Sequence, residues 1–394
     1  MIDKKDQKSL RIIITLIFLI ITITYAITIY AKGYRINLQN GISLKATGIL
    51  STTSKPKAAS VYINDHLLTA TDDTINLPPG EYEIKIAKDG YNTWQKRVNL
   101  KKENVYQTDT HLFRTIPDIR SITLSGAINP VLSYDGTKII YAVASASASK
   151  NNGLYQYDLN NSLLPLNKNQ PKLIATNFHG IDWSKFQFKF SPDSKELIAS
   201  TKIGNLSYLI NLDEPITYQN LKDITLNKEI IIENWQKIES NQVKTSLEKL
   251  PSVFKNIVST ESAKLSSLNT SETRFLYLAQ NDYNLENNLI TPPPGQSSQK
   301  QSREIKKDNY YVYDIKDDTN FLIGHKTEIS FPFWLPDSNS IVFISKNGIQ
   351  SIEYDSTNLN TLFSGKFLDN FVAPKLDGSE IIILNENLFG LNIR

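Results

Sequence analysis

Cysteine is absent from the 394-residue sequence, which removes disulfides, thiolate metal sites and thiol nucleophiles together. Histidine is scarce. The four present, His66, His111, His179 and His325, stand singly with no ligand partners at useful spacing, so they read as surface or capping residues. Charge of one sign is missing too: 43 basic against 40 acidic residues leave +3, too little to recruit nucleic acid. No Gly-x-Ser-x-Gly elbow, phosphate loop, dinucleotide fingerprint or His-Glu-x-x-His run occurs. The expectation is a protein without catalysis, metal or cofactor.

Long hydrophobic runs are also missing, with one exception. Residues 12–31, "IIITLIFLIITITYAITIYA", carry no charge and are long enough to cross a bilayer as a helix. Their threonine hydroxyls can bond back to the preceding turn. Lys4, Lys5, Lys8 and Arg11 precede the run; Lys32, Arg35 and Lys45 follow it. The basic tail 1–11 therefore favours the cytoplasm, with everything after the span outside the cell membrane. A cleaved signal peptide is the rival reading. The run exceeds the usual apolar length of such peptides, and "IYA" before Lys32 is a poor cleavage site.

What the chain does have is aromatic residues, 19 Tyr and 16 Phe, which suit pleated surfaces. Residues 32–45 read as a strand-turn-strand spacer around Asn40-Gly41. In the next segment Val61 and Ile63 alternate with Tyr62, and Asn64-Asp65 turns the chain. Pro78-Pro79 fixes backbone dihedrals ahead of Gly80. Tyr82, Ile84 and Ile86 then face one way, and Glu81, Glu83 and Lys85 the other. After Asp89-Gly90, Trp94, Val98 and Leu100 supply the next inward set, with Gln95, Arg97 and Asn99 outside. This is a half-buried antiparallel hairpin of a small β-sandwich.

The stretches "KAASVYIND", "INLPPGEYEIKIAKDGY" and "TWQKRVNL" resemble the PEGA domain, over residues 46–114. The "PGEY…KDGY" half is the stronger match; "KPKAASVYI" departs from the family's Pro-x-Gly-Ala run. The resemblance implies an extracytoplasmic β-domain tethered to a membrane, without enzymatic activity, that binds surface polymers or proteins. Tyr91 and Trp94 are the candidate ligand-stacking pair for a sugar, although aromatics at strand spacing usually belong to a core.

From residue 118 to 394 a unit recurs: "LSYDGTKIIYAVA" before "GLYQYDLN", "FSPDSKELIAST" before "LSYLINLD", "LNTSETRFLYLAQ" before "NYYVYDIKDD", then "LPDSNSIVFISKNGIQSIEYDS" and "LDGSEIIILNENLFGLNIR". Such units cannot bury both faces alone and must stack on neighbours. They resemble the WD40-like repeats of TolB-type β-propellers, marked by Ser-Pro-Asp-Gly before an apolar strand. "SPDS" at 191–194 comes near the full motif and the other copies are degenerate. The expected fold class is all-β: a PEGA-type sandwich followed by a propeller of five to seven blades, with one transmembrane helix. A pair of β-sandwiches is the structural rival. "IRSITLSG" (119–126) is placed to pair with the last strand and close the ring.

Two surplus stretches interrupt the repeats. Residues 226–258 read as a short helical insertion, with Asn227 as N-cap and Ile231, Trp235 and Ile238 at helical spacing. Residues 290–309, rich in proline, serine and charge, read as a flexible loop.

The turn aspartates Asp135, Asp193, Asp337 and Asp377 invite a calcium or acid–base account. Their simpler role is to accept backbone N–H bonds in the turns. The chain ends at Arg394 on a strand, leaving no room for a hydrolase domain behind the ring. The functional expectation is a membrane-anchored binding or scaffold protein whose partner is a protein or a cell-wall polymer. The alternative is a glycan-processing enzyme with its site in the propeller channel.

Overall fold

The computed structural model describes residues 4–31, 34–37, 43–160, 170–178, 180–201, 206–248, 250–258, 273–291, 299–368 and 371–394. The N-terminal run forms the helix α1 (Lys4–Ala31). Its segment Ile12–Ala31 is long and apolar enough to cross a membrane, and none of it is buried against protein. Thr22 and Thr28 hydroxyls donate to the carbonyls of Phe18 and Thr24, so their polarity is satisfied within the helix. Strands β1 (Arg35–Asn37) and β2 (Ser43–Lys45) pair antiparallel, as the spacer pattern predicts. The Asn40-Gly41 turn lies outside the described residues.

The chain divides into two compact units. The first contains seven further strands: β3 (Gly48–Lys55), β4 (Ser60–Ile63), β5 (His66–Ala70), β6 (Asp73–Leu77), β7 (Gly80–Ala87), β8 (Trp94–Leu100) and β9 (Val105–His111). They form a three-stranded sheet, β6-β3-β9, and a four-stranded sheet, β5-β4-β7-β8. The β7–β8 hairpin sets Ile86 opposite Trp94 and Tyr82 opposite Val98. Val61, Ile84, Ile86, Trp94, Val98 and Leu100 are buried, as alternation requires. The other sheet offers a more polar inner row: Thr52, Ser54, Thr108 and Thr110 are buried beside Leu50. Gly48 has a packing reason, since a Cβ there would lie 2.4 Å from Leu100 Cγ.

The second unit begins with β10 (Asp118–Ser121), followed by β11 (Ile128–Leu132), β12 (Lys138–Val143), β13 (Gly153–Asp158) and β14 (Lys172–Thr176). Next come β15 (Phe186–Phe190), β16 (Glu196–Thr201), β17 (Ser207–Asn211) and β18 (Lys222–Asp223). Two helices follow, α2 (Lys228–Glu248) and α3 (Phe254–Ile257). Beyond them lie β19 (Arg274–Leu278), β20 (Tyr283–Asn284), β21 (Glu304–Ile305), β22 (Asn309–Asp314) and β23 (Thr319–His325). The last strands are β24 (Ser330–Trp334), β25 (Ser340–Ser345), β26 (Gly348–Glu353), β27 (Asn360–Phe363), β28 (Val372–Pro374), β29 (Glu380–Asn385) and β30 (Asn387–Asn392).

Their order is that of a propeller. Blade 1 is β11-β12-β13-β14, blade 2 is β15-β16-β17-β18, and blade 4 is β24-β25-β26-β27. Blade 3 contributes β19-β22-β23 among the described residues, and blade 5 is β28-β29-β30-β10. The outermost strand of blade 5 thus comes from the start of the unit, with Ile119 opposite Leu391 and Ser121 opposite Phe389. That pairing closes the ring and rules out the sandwich pair. The described residues form five blade sheets, the lower end of the expected range.

Sheet faces are apolar on both sides, so each blade must be covered twice. Ile140 and Ala142 of blade 1 meet Phe186, Leu197 and Ala199 of blade 2. Leu276 and Val312 of blade 3 meet Ile341 and Phe343 of blade 4. Val342 and Ile349 of blade 4 meet Ile381 and Leu391 of blade 5, and Ile382 and Leu388 of blade 5 meet Ile139 and Tyr141 of blade 1. Between blades 2 and 3 the pattern changes. There Ile198 and Ile224 are covered by Trp235 of α2, and Phe275, Tyr277 and Tyr313 by Phe254 and Ile257 of α3. The helical insertion stands where another sheet face would be.

The stretch 290–309 departs from its expectation as a flexible loop. Its second half is anchored: β21 pairs with β20, Ile305 is fully buried, and Arg303 lies 3.2 Å from the buried Asp318. Average composition hid one apolar and one ion-pairing residue. Residues 292–298 lie outside the described residues.

Candidate functional site

A four-stranded meander sends its first-to-second and third-to-fourth connections to one face of the ring and the remaining connections to the other. The first face carries the Asp-containing turns. Asp135 accepts from Ser133 Oγ at 2.6 Å and Thr137 N at 3.0 Å. Asp193 accepts from Ser191 Oγ at 2.5 Å and Lys195 N at 3.2 Å. Asp337 accepts from Asn339 N and Ser340 N, each at 2.9 Å, and Asp377 from Ser379 N at 2.9 Å. These carboxylates are engaged in shaping the turns. The hydroxyl of Ser191 and the N–H of Lys195 hold the Asp193 carboxyl below the usual carboxylate range against the opposing effect of burial.

The turn face also latches blade to blade. Asp135 N donates to Ser194 Oγ at 3.0 Å, joining blades 1 and 2. Arg274 Nη1 donates to Ser338 O at 2.8 Å, joining blades 3 and 4, while its guanidinium sits 3.5 Å from the Tyr354 ring centroid and pairs with Asp314. Ser194 and Ser338 occupy the same turn position and share a left-handed φ, 61° and 60°. The C-terminal Arg394 pairs with Asp337, tying blade 5 to blade 4.

The opposite face is where the insertions emerge: α2 and α3 after β18, and β20 and β21 between β19 and β22. It also exposes large apolar side chains on its connections, Leu124 at 88%, Leu226 at 96% and Ile230 at 59%. Phe331, at the start of the inner strand β24, is 55% exposed with φ of 50°. Asn129 holds the matching position in β11 with φ of 49°, and its Nδ2 donates to Phe186 O at 2.7 Å. Asparagine tolerates that conformation; a bulky phenylalanine adopts it at a cost of about 1–3 kcal/mol. Each of these two residues precedes a proline, Pro130 or Pro332, which blunts the inner edge of its blade.

The tyrosines of the ring are structural. Burial pushes the phenols of Tyr141 and Tyr157 upward, and burial with a hydrogen bond donated to Asp318 does the same for Tyr313. His325 Nδ1 lies 2.8 Å from Thr327 Oγ1 in a turn, His66 is exposed, and His111 is half-buried. His179 lies outside the described residues. Among the described residues no three His, Cys, Asp or Glu side chains form a metal-holding group.

The two sequence-derived stacking candidates are placed differently. Trp94 is only 6% exposed and faces the sandwich core, so its ring is unavailable to a sugar. This corrects the expectation: the period-2 pattern that exposes Gln95 buries Trp94. Tyr91 is half-buried and bridges to Arg114, whose guanidinium carbon lies 5.9 Å from the ring centroid. The same alternation buries Lys96, which sits opposite Ile84 with Nζ 5.5 Å from the Trp94 ring centroid. A charge at an inward position escapes hydrophobic pattern reading.

Residues 47–116 match the PEGA domain. No curated protein matches the chain. Among solved structures, a TolB from Agrobacterium tumefaciens is similar at 15% identity and a TM-score of 0.22, covering 69% of this chain and 77% of that one. TolB from Acinetobacter baumannii follows at 14% identity and 0.22, covering 79% and 59%. An oligogalacturonate lyase in complex with manganese gives 14% identity and 0.20, covering 67% and 62%. Similarities this low carry no weight for function, and the propeller assignment rests on the strand order itself.

Proposed function

We propose that the chain is a non-enzymatic, membrane-anchored binding protein of the cell envelope. In this reading residues 1–11 are a cytoplasmic tail, 12–31 the anchor, 32–45 a spacer, 46–114 the PEGA-like module and 118–394 a recognition platform outside the membrane. The basic residues Lys4, Lys5, Lys8 and Arg11 support that orientation. The observation that carries the proposal is the asymmetry of the ring. One face is made of tight turns whose carboxylates are satisfied internally, and the other collects the insertions and the exposed Leu124, Leu226, Ile230 and Phe331. Apolar side chains are exposed on the turn face as well, Tyr134, Tyr218, Leu359 and Leu376, but none reaches the near-complete exposure of Leu124 and Leu226, and these two beside the insertions are what support recognition on the other face.

The partner that suits such a face is a protein, because apolar anchors amid polar side chains describe a protein-binding patch better than a polymer groove. In-cell crosslinking from the wild-type protein tests this. Phe331→Ser together with Leu226→Ser is expected to abolish the crosslinked species while leaving the melting temperature within a few degrees. Crosslinks unchanged by the double variant, or transferred to turn-face variants such as Asp377→Asn, refute the assignment.

A further inference from the structure

We propose that α2 and α3 form a gate in the wall of the ring, hinged on blade 3 and releasable from blade 2. The two halves of the insertion are held very differently. On blade 3, Leu247 at the C-terminal end of α2 joins the cluster, with Val243 against it, and Phe254 of α3 is fully buried and packs 4.5 Å from the Tyr313 ring centroid and 5.4 Å, edge-on, from that of Tyr277. Backbone follows side chain there, since Gln280 N donates to Ile257 O at 3.0 Å and Asn281 Nδ2 to Asn256 O at 3.3 Å. On blade 2 the apolar contact among the described residues is Trp235 over Ile198 and Ile224, with Ile231, Ile232 and Leu209 partly exposed at its margin.

Apolar contact of this kind scales with the surface it removes from water, so the α2–blade 2 seam is the weak side. Every other described blade junction is sheet on sheet, and the β10–β30 pairing secures the ring elsewhere. At 1.5 Å per residue α2 is about 31 Å long. Burial, and then the charge of Glu239 midway along α2, raises the phenol of Tyr134 on the turn face. Release of the Trp235 part of α2 therefore uncovers the apolar sheet face that carries Ile198 and Ile224.

Strand β16 supplies its own control. Ile198 and Ala199 are adjacent and both fully buried, but Ile198 faces α2 and Ala199 faces blade 1. The absence of native cysteine makes thiol labelling clean. Ile198→Cys, Ala199→Cys and Ala279→Cys are introduced singly into the full chain in detergent, and labelling rates are corrected by each variant's urea-unfolding curve. Ile198→Cys is expected to label at least tenfold faster than Ala199→Cys, with a weaker urea dependence; Ile224→Cys, also buried beneath Trp235, is the second reporter if Ile198→Cys does not fold. Ala279, which packs within the α3 cluster, is expected to label as slowly as Ala199. Equal rates at 198 and 199 overturn the gate, and fast labelling at 279 overturns the hinge on blade 3.

Discussion

Arg120 and Glu380 meet across a bare backbone. The guanidinium Nε lies 2.6 Å from Glu380 Oε1 and Nη2 lies 2.9 Å from Oε2, and the pair passes over Gly390, where a Cβ would stand 1.9 Å from the carboxylate. Arg120 belongs to β10, Glu380 to β29, and Gly390 to the strand between them. Arg120 Nη2 also reaches Tyr157 Oη of blade 1 at 2.7 Å. One side chain thus fastens the closing strand and bridges the joint between the last and first blades.

Two substitutions test that clasp. Glu380→Gln is expected to cost about 1–2 kcal/mol, modest because Arg120 remains half exposed. Gly390→Ala is expected to cost about 1–3 kcal/mol by forcing the carboxylate aside. Urea unfolding of the single and double variants should show less than additive loss, because both act through the same ion pair.

Gly348 starts β26 with φ of 106°, and a Cβ there would lie 2.1 Å from the carbonyl oxygen of Phe363. Backbone cannot yield as a side chain can. Gly348→Ala is expected to lower stability by about 2–4 kcal/mol, whereas the open Gly180 should accept alanine at the cost of its positive φ alone, about 1 kcal/mol. Thermal unfolding of the two variants checks the contrast.

Acid sensitivity follows from the turns. The folded Asp193 carboxyl titrates below its unfolded value, held down first by the Ser191 hydroxyl. Its contribution is therefore complete above the unfolded carboxylate range, near pH 4, and is lost as pH falls through the lower folded value. Ser191→Ala should weaken that pH dependence. Melting temperature measured from pH 6 down to pH 2 should fall less steeply in the variant than in the wild type.

Phe331 offers a trade between stability and recognition. Replacing it with asparagine, the residue found at the matching position 129, relieves the left-handed strain and should raise stability by about 0.5–1 kcal/mol. The same change should weaken crosslinking to the partner. Denaturant unfolding and in-cell crosslinking of Phe331→Asn measure the two effects separately.

Alternation made the β7–β8 hairpin legible, because Ile84, Ile86, Val98 and Leu100 repeat with the period of a strand. The blade series was legible for a related reason: each Asp-containing turn precedes an apolar strand that must be covered on both sides. Other features depend on contacts distant in sequence. Helical spacing identified the apolar stripe with Trp235, but no local signal says that it covers Ile198 or that α3 turns instead to blade 3. Arg303 and Ile305 were hidden in a polar stretch, although their partners Asp318 and Tyr283 lie within a few dozen residues. Phe331 was unreadable as a surface anchor because its exposure depends on a bulge between Ser330 and Phe333.

The placement of the ring outside the membrane, with the tail inside, is the claim on which the functional account turns. Single cysteines at Ser9 and at Lys150 in the cysteine-free chain allow it to be measured with a membrane-impermeant maleimide on intact cells. Labelling of Lys150→Cys in intact cells and of Ser9→Cys only after lysis is the predicted result. The reverse pattern, or protection of both sites until lysis, contradicts the account.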